Sequence, residues 1–248
     1  MPRFLLAAAI FSALFWMKSA DAQTGYREIT VKPGDTLSTI ARDNLDNPSR
    51  WRELLQYNQI DNPNLIKPGL RIKVPDNLAR RPEASLISMR GSVQYLKFGS
   101  TEWTGAEISL LLFKKDALRT GASSRAEVRL KNGVSFVMTE NTQADVTGES
   151  SADGPFVRRG RLNIFTHGPV SDFHVRSPTA VASVRGTSFL VEVDEKENSS
   201  FACHTGLVAV TAEGVTVELP PGYATFVEKG KAPSKPYPLP EPPPIEQE

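Results

Sequence analysis

Residues 26–75 read YREITVKPGDTLSTIARDNLDNPSRWRELLQYNQIDNPNLIKPGLRIKVP, a stretch in which two short extended segments bracket two short amphipathic helices, with turn dipeptides at the junctions. Ile29 and Val31 alternate with polar neighbours as a half-buried strand does, and Pro33-Gly34 stops that strand. Asp35 stands where a side-chain oxygen can accept from the free amides of a helix through Leu37, Ile40 and Ala41. Asn47-Pro48 opens a second helix, because proline has no amide to lose at a first helical position. Trp51, Leu54, Leu55 and Asn58 then fall at i, i+3, i+4 and i+7 and share one stripe. Pro68-Gly69 turns the chain into Leu70, Ile72 and Val74. This order predicts a compact α+β module of βααβ type.

The runs V-K-P-G-D-T-L, W-x-E-L-L-x-x-N and N-L-I-K-P-G-x-R-I-K-V-P are together similar to a LysM domain, and the likeness covers the whole module. It implies a groove for N-acetylglucosamine units of peptidoglycan or chitin. Gly34, Asp35, Thr36 and Leu37 would form one lip, and Asn62, Pro63, Asn64, Leu65 and Ile66 the other. Such a site is chemically sensible: backbone and small polar groups bond hydroxyl and acetamido groups, while Leu37 and Ile66 cover the acetyl methyl and the sugar face. The same residues also fit structural roles, Asp35 as a helix cap, Pro-Gly as turns, Leu65 and Ile66 as core. A single shallow module gains little over the ordering cost of binding, so weak affinity is expected.

Upstream, Arg3 precedes an apolar run from Phe4 to Met17, and Ala20-Asp21-Ala22 has the small-x-small form of a signal peptidase site. The run is short for a hydrocarbon core of about 30 Å, so residues 1–22 are expected to be a secretory signal cut after Ala22, leaving no transmembrane anchor and a periplasmic or secreted chain. Its removal takes away Arg3, Lys18 and Asp21, so 29 basic and 28 acidic side chains become 27 of each, a net charge of zero. Neutrality argues against nucleic acid or an anionic lipid surface as partner, since both demand a basic excess. Cys203 is the single cysteine, so no internal disulfide forms and the fold must rest on hydrophobic cores.

The module is assigned residues 23–77, and the mixed, charged stretch 78–90 is read as a linker. From Gly91 the texture changes to alternating β-rich runs broken by glycine: Val93/Tyr95, Val128/Leu130, Phe136/Met138, Phe173/Val175, Phe189/Val191/Val193, Val208/Val210 and Val217/Leu219. Short strands at close spacing predict an all-β domain over 91–230, a sandwich or roll, and a chain that is mainly β overall. Two hairpins can be tested by side-chain parity. A two-residue loop at Glu213-Gly214 sets Val208 and Val210 opposite Leu219 and Val217. At Lys131-Asn132-Gly133, a three-residue loop with Gly133 left-handed keeps Val128 and Leu130 on the face of Phe136 and Met138, which a two-residue Asn-Gly turn does not.

D-A-L-R-T-G at 116–121, L-K-N-G at 130–133, S-P-T-A-V-A-S-V-R-G-T-S-F-L-V at 177–191 and T-G-L-V-A-V from Thr205 resemble a FecR-type domain, and the likeness extends to Pro221-Gly222-Tyr223. In the proteins that name the family, this domain belongs to a periplasmic anti-sigma regulator and takes a signal from an outer-membrane transporter. The resemblance implies an interaction domain without catalysis. Glycine within a strand pattern marks a bulge or close backbone approach, so Arg185, Gly186 and Thr187 read first as structural, Arg185 pairing with a carboxylate under a loop.

Catalysis would have to be assembled from His167, His174, His204, Cys203 and scattered acids. Cys203 and His204 are strand neighbours and point to opposite faces, so they make poor partners, and Cys203 is expected to be a buried inert thiol. His167 and His174, with Asp172 between them, match no metal-ligand spacing, and phosphate loops and nucleotide fingerprints are absent. No catalytic residue, metal or cofactor is therefore expected. Residues 231–248, with seven prolines, read as a disordered polyproline arm unable to join a sheet. The sequence thus predicts a non-enzymatic exported protein anchored to peptidoglycan by one module, whose β domain meets an envelope protein. A peptidoglycan-acting enzyme with a targeting module and an envelope signalling or transport sensor are the alternatives.

Overall fold

The computed structural model of the protein describes residues 25–148, 153–166 and 173–240. Residues 1–22, expected to be a secretory signal, and His167 and Asp172 lie outside these described residues. The chain divides into two compact units, Met1–Ala79 and Arg80–Glu248.

In the first unit β1 (Tyr26–Thr30) pairs antiparallel with β2 (Arg71–Pro75), with Ile29 opposite Ile72. Between them run α1 (Leu37–Asn44) and a 3₁₀ helix (Pro48–Gln56). The second helix, expected to be α, is therefore 3₁₀. Three residues per turn eclipse i and i+3, which stacks Arg50 on Glu53 in a bidentate ion pair (2.6 and 2.8 Å), and Trp51 packs partly against the core that holds Leu54. Leu54 is fully buried, and the Asn58 amide ties the helix end to β2 through the Leu54 and Lys73 carbonyls and the Lys73 N–H. A second correction concerns α1. Its N-cap is Thr36, which exchanges hydrogen bonds with Thr39 in a capping box, whereas Asp35 accepts from Lys32 N–H (2.7 Å) and closes the turn before the helix.

The core of this unit contains Val31, Leu37, Ile40, Leu45, Leu54, Ile72 and Val74, and it continues into Leu78 and Ala79. Asp46 N–H donates to the Leu78 carbonyl, and Leu45 bridges to Ala79. The stretch 78–90, expected to be a linker, is thus divided: its start closes the first core, and Ala84–Arg90 is a strand of the second unit. Alternation decides this, since Ala84 and Leu86 are buried while Ser85 and Ile87 are half-exposed.

Among the described residues the second unit contains strands and no helix. Its strands are β3 (Ala84–Arg90), β4 (Val93–Leu96), β5 (Thr104–Gly105), β6 (Leu111–Leu112), β7 (Ala117–Thr120), β8 (Arg125–Leu130), β9 (Ser135–Met138), β10 (Gln143–Asp145), β11 (Asp153–Phe165), β12 (Phe173–Arg176), β13 (Val181–Val193), β14 (Ser199–Ala212), β15 (Val215–Leu219), β16 (Tyr223–Val227) and β17 (Tyr237–Pro238). They form one hydrogen-bonded network whose main path runs β17-β16-β14-β13-β12-β11-β10-β7-β4-β5, with β3, β6, β8, β9 and β15 as branches. The network encloses a single core in which Phe136, Phe173, Phe189 and Phe201 are wholly buried, each such side chain contributing about 1.5–3 kcal/mol.

Three long strands wrap this core by switching the parity of their buried residues. In β11, Pro155 and Val157 are buried on odd positions and Leu162 and Ile164 on even ones, and Gly160 (φ +87°) sits in the switch. The first half of β11 pairs with β10 and β12, the second with β9 and β13. In β13 burial passes from Ala182 and Val184 to Phe189, Val191 and Val193 across a bulge in which Arg185 pairs with Leu207 and Ser188 with Thr205. Gly186 (φ +56°) and Gly206 (φ +78°) supply the left-handed backbone that the bulge requires. Arg185 beside it is exposed and pairs with no carboxylate among the described residues.

Both hairpins behave as parity demands. Glu213 (φ +48°) and Gly214 (φ +73°) make a two-residue turn that pairs Val208 with Leu219 and Val210 with Val217. At Gly133 (φ +85°) the loop has three residues, and Val128 faces Phe136 while Ala126 faces Met138. The C-terminal segment also departs from expectation: it enters the sheet as β17, paired with β16.

Candidate functional site

Two turns of identical opening sequence stand at one end of the β1–β2 ladder. In Lys32-Pro33-Gly34-Asp35 and Lys67-Pro68-Gly69-Leu70 the fourth N–H donates to the first carbonyl (3.1 Å in both), and Gly34 (φ +87°) and Gly69 (φ +90°) occupy the left-handed third position. Val31 joins them, donating to the Leu70 carbonyl (2.8 Å) and accepting from Gly69 N–H (2.8 Å). The ladder therefore delivers the first lip directly after Val31 and the second directly before Lys67. A third turn shapes the second lip: the Asn62 carboxamide oxygen accepts from Asn64 N–H (3.0 Å), and Leu65 N–H donates to the Asn62 carbonyl (3.0 Å).

The expected site residues separate by exposure. Gly34, Thr36, Asn62, Asn64 and Leu65 are exposed, Asp35, Pro63 and Ile66 half-exposed, and Leu37 buried. Leu37, only 2% exposed, belongs to the core and cannot cover an acetyl methyl with its side chain; the helix it opens needs it as the first inward position. Ile66 packs partly against the same core. Leu65 is instead the apolar group presented to solvent, at 68% exposure. Thr36 spends its hydroxyl on the capping box, and one Asp35 oxygen is held by its own turn. What remains is a small apolar knob beside the Asn64 carboxamide and the open space around Gly34, a surface chemistry suited to neutral, hydroxyl-rich ligands.

The second unit presents no nucleophile-base pair at Cys203-His204. Cys203 is wholly buried, its S–H directed at the Thr205 carbonyl (3.4 Å), while His204 is exposed on the other face of β14. Burial pushes the thiol pKa up, which suppresses the thiolate. Ellman's reagent should accordingly find no reactive thiol in the native protein and one after denaturation. Ready native labelling would contradict the buried placement. Among the described residues no group of three His, Cys, Asp or Glu side chains is placed to hold a metal.

A buried polar centre that sequence reasoning passed over lies at Asp116. Its carboxylate is fully buried and accepts from four groups: Phe98 N–H and Phe113 N–H (both 2.9 Å), the Tyr95 hydroxyl (3.2 Å) and the Arg80 guanidinium (3.4 Å). Burial first, and then the Asp116 charge, push the Tyr95 phenol pKa up. Asp116 opens the D-A-L-R-T-G run, and the acid ahead of an apolar strand was its sequence signal. The centre clamps the loops that precede β7, and that role is structural.

A family model described as LysM domain matches residues 29–75, and one described as FecR protein matches residues 116–209. An uncharacterized protein of Deinococcus radiodurans is 41% identical over 58 residues, which are 23% of this chain and 23% of that one. The chain thus spans under a quarter of that relative. Two crystal structures of a candidate anti-sigma factor from Parabacteroides distasonis align with 50% of this chain and 59% of theirs, at 21% and 20% identity and TM-scores of 0.42 and 0.43. Among the described residues no helix is long and apolar enough to cross a membrane. The chain carries a LysM domain at residues 29–75 followed by a FecR domain at residues 116–209.

Proposed function

We propose that this is an exported, non-enzymatic protein whose LysM domain holds it on peptidoglycan through N-acetylglucosamine units while the FecR domain meets an envelope protein. The observation that supports it best is the pair of lips at one end of the β1–β2 ladder, with Leu65 standing out of the second. Gly34, Asp35, Thr36 and the Leu37 backbone form one side of the site, and Asn62, Pro63, Asn64, Leu65 and Ile66 the other. Leu65 replaces Leu37 as the group that lies on the sugar face. Attachment to a glycan surface raises the local concentration of the FecR domain near its partners, so weak contacts suffice.

Leu65→Arg is the clean probe, because Thr36→Arg would break the capping box and Ile66→Arg would disturb the core. The variant should lose co-sedimentation with insoluble peptidoglycan by about tenfold or more, the scale of losing one well-placed apolar contact and introducing a charge, with an unchanged thermal transition. Retention of full binding would remove Leu65 from the site. Flat calorimetry with chito-oligomers at millimolar sugar would remove the glycan reading itself, and muropeptide release from the incubated wall would replace it with the enzymatic one. The FecR match favours the signalling alternative over the enzymatic one; crosslinking in cells identifies the protein captured.

A further inference from the structure

The segment after β16 folds back along that strand's open edge. Ser234 N–H donates to the Phe226 carbonyl (2.8 Å), Phe226 N–H donates to the Ser234 hydroxyl (3.0 Å), and the Thr225 hydroxyl donates to the Ser234 carbonyl (2.8 Å). Further on, Tyr237 pairs with Ala224, Pro238 with Tyr223, and Leu239 N–H donates to the Gly222 carbonyl (2.7 Å). Thr225 is buried beneath this strap, and Pro233, at the strap's start, is buried as well.

The prolines have a phase. The register shifts by one between Ser234 and Tyr237; beyond that shift an extended chain directs successive N–H groups to opposite edges, and Leu239 N–H faces β16, so Tyr237 and Leu239 face inward. Pro236, Pro238 and Pro240 take the other parity, and all three are exposed. The outward edge of the strap consequently has no N–H donor at three alternate positions, while the inward edge keeps the donors that bind it to β16. Without the strap, the five-residue β16 would stand at the end of the main strand path with an unpaired ladder, flanked by Tyr223 and Phe226, already 39% and 38% exposed. Unpaired edges of that kind recruit further strands, and edge proline is a recognised way to prevent it.

We propose that residues 233–240 are a proline-faced cap on the β16 edge, and that the cap keeps the FecR domain from pairing edge to edge with a second copy of this chain. Recognition in the uncapped state is by backbone ladder plus the aromatic side chains of Tyr223 and Phe226, in the isologous antiparallel arrangement that two identical edges allow.

Two variants of the chain from residue 23 test it by sedimentation velocity over a concentration series, with circular dichroism as a folding check. The first ends at Gly230 and bares β16. The second keeps the full length and carries Pro236→Val, Pro238→Val and Pro240→Val, which leaves the inward hydrogen bonds in place and gives the outer edge donors. Relative to the parent, each should gain a concentration-dependent rise in mass, about twofold for the truncated chain if the new contact closes as a dimer. Should the truncated chain fail to fold, the triple valine variant decides alone. Masses indistinguishable from the parent at every concentration in the folded variants would overturn the proposal, as would association of the parent to the same extent.

Discussion

Asp116→Ala is expected to lower the stability of the second unit by about 3–5 kcal/mol, the scale on which removing one partner of a buried ion pair leaves the other charge unmatched. Arg80, 8% exposed, would lose its carboxylate and keep only the Lys114 carbonyl (3.1 Å) and the face of Phe113. The Tyr95 hydroxyl and the N–H groups of Phe98 and Phe113 would lose their acceptor at the same stroke. Asp116→Asn should also destabilise, because one acceptor oxygen becomes an NH₂ facing donors. Among the residues after 22 the tryptophans are Trp51 and Trp103, one in each unit, so urea unfolding followed by Trp103 fluorescence in a Trp51→Phe background reports the second unit. A loss below about 1 kcal/mol, the net worth of one ordinary hydrogen bond, would show that Asp116 is not the clamp of these loops.

Gly160→Ala should be nearly as damaging, by about 2–5 kcal/mol, since two costs add: a left-handed backbone penalised by about 1–2 kcal/mol for any L side chain and an overlap of the kind that costs about 1–3 kcal/mol in a packed interior. The new methyl would lie 2.6 Å from Thr142 Cα and 2.8 Å from the Asn141 carbonyl oxygen, backbone atoms that cannot swing aside. Gly214→Ala is the control. Its φ of +73° is similarly left-handed, yet no atom lies within 4 Å of the added Cβ. The same urea experiment should give Gly214→Ala only the conformational cost, and equal losses for the two variants would deny the close approach of β11 to the Asn141–Thr142 turn.

Much of the fold was legible because its signals are local. The exposed and buried sides of β14 and β15 follow from the parity of Val208, Val210, Val217 and Leu219 and from a Glu-Gly turn whose two residues both adopt positive φ. The bulge at Gly186 was likewise readable, since no unbroken strand can bury both Val184 and Phe189 on one side. The cap of α1 was harder: Asp35 and Thr36 are both good capping residues, and the choice fell to Thr36 because Thr39 returns its hydrogen bond while Asp35 closes the preceding turn. In the candidate site, sequence could not separate Leu37 from Leu65, because the two look alike until the core claims Leu37 and leaves Leu65 exposed.

The amino-acid sequence by itself determined the two families, the strand-helix-helix-strand order of the first unit and the inward faces of most strands in the second, all of which rest on contacts between residues near in the chain. Only the tertiary structure decided that 84–90 is a strand, that the proline-rich segment through 240 pairs with β16, and that Asp116 gathers donors from Arg80, Tyr95, Phe98 and Phe113. Each of these depends on a partner distant in sequence. A lone extended segment carries no mark of whether a ladder awaits it, and a lone carboxylate none of whether it will be buried among donors.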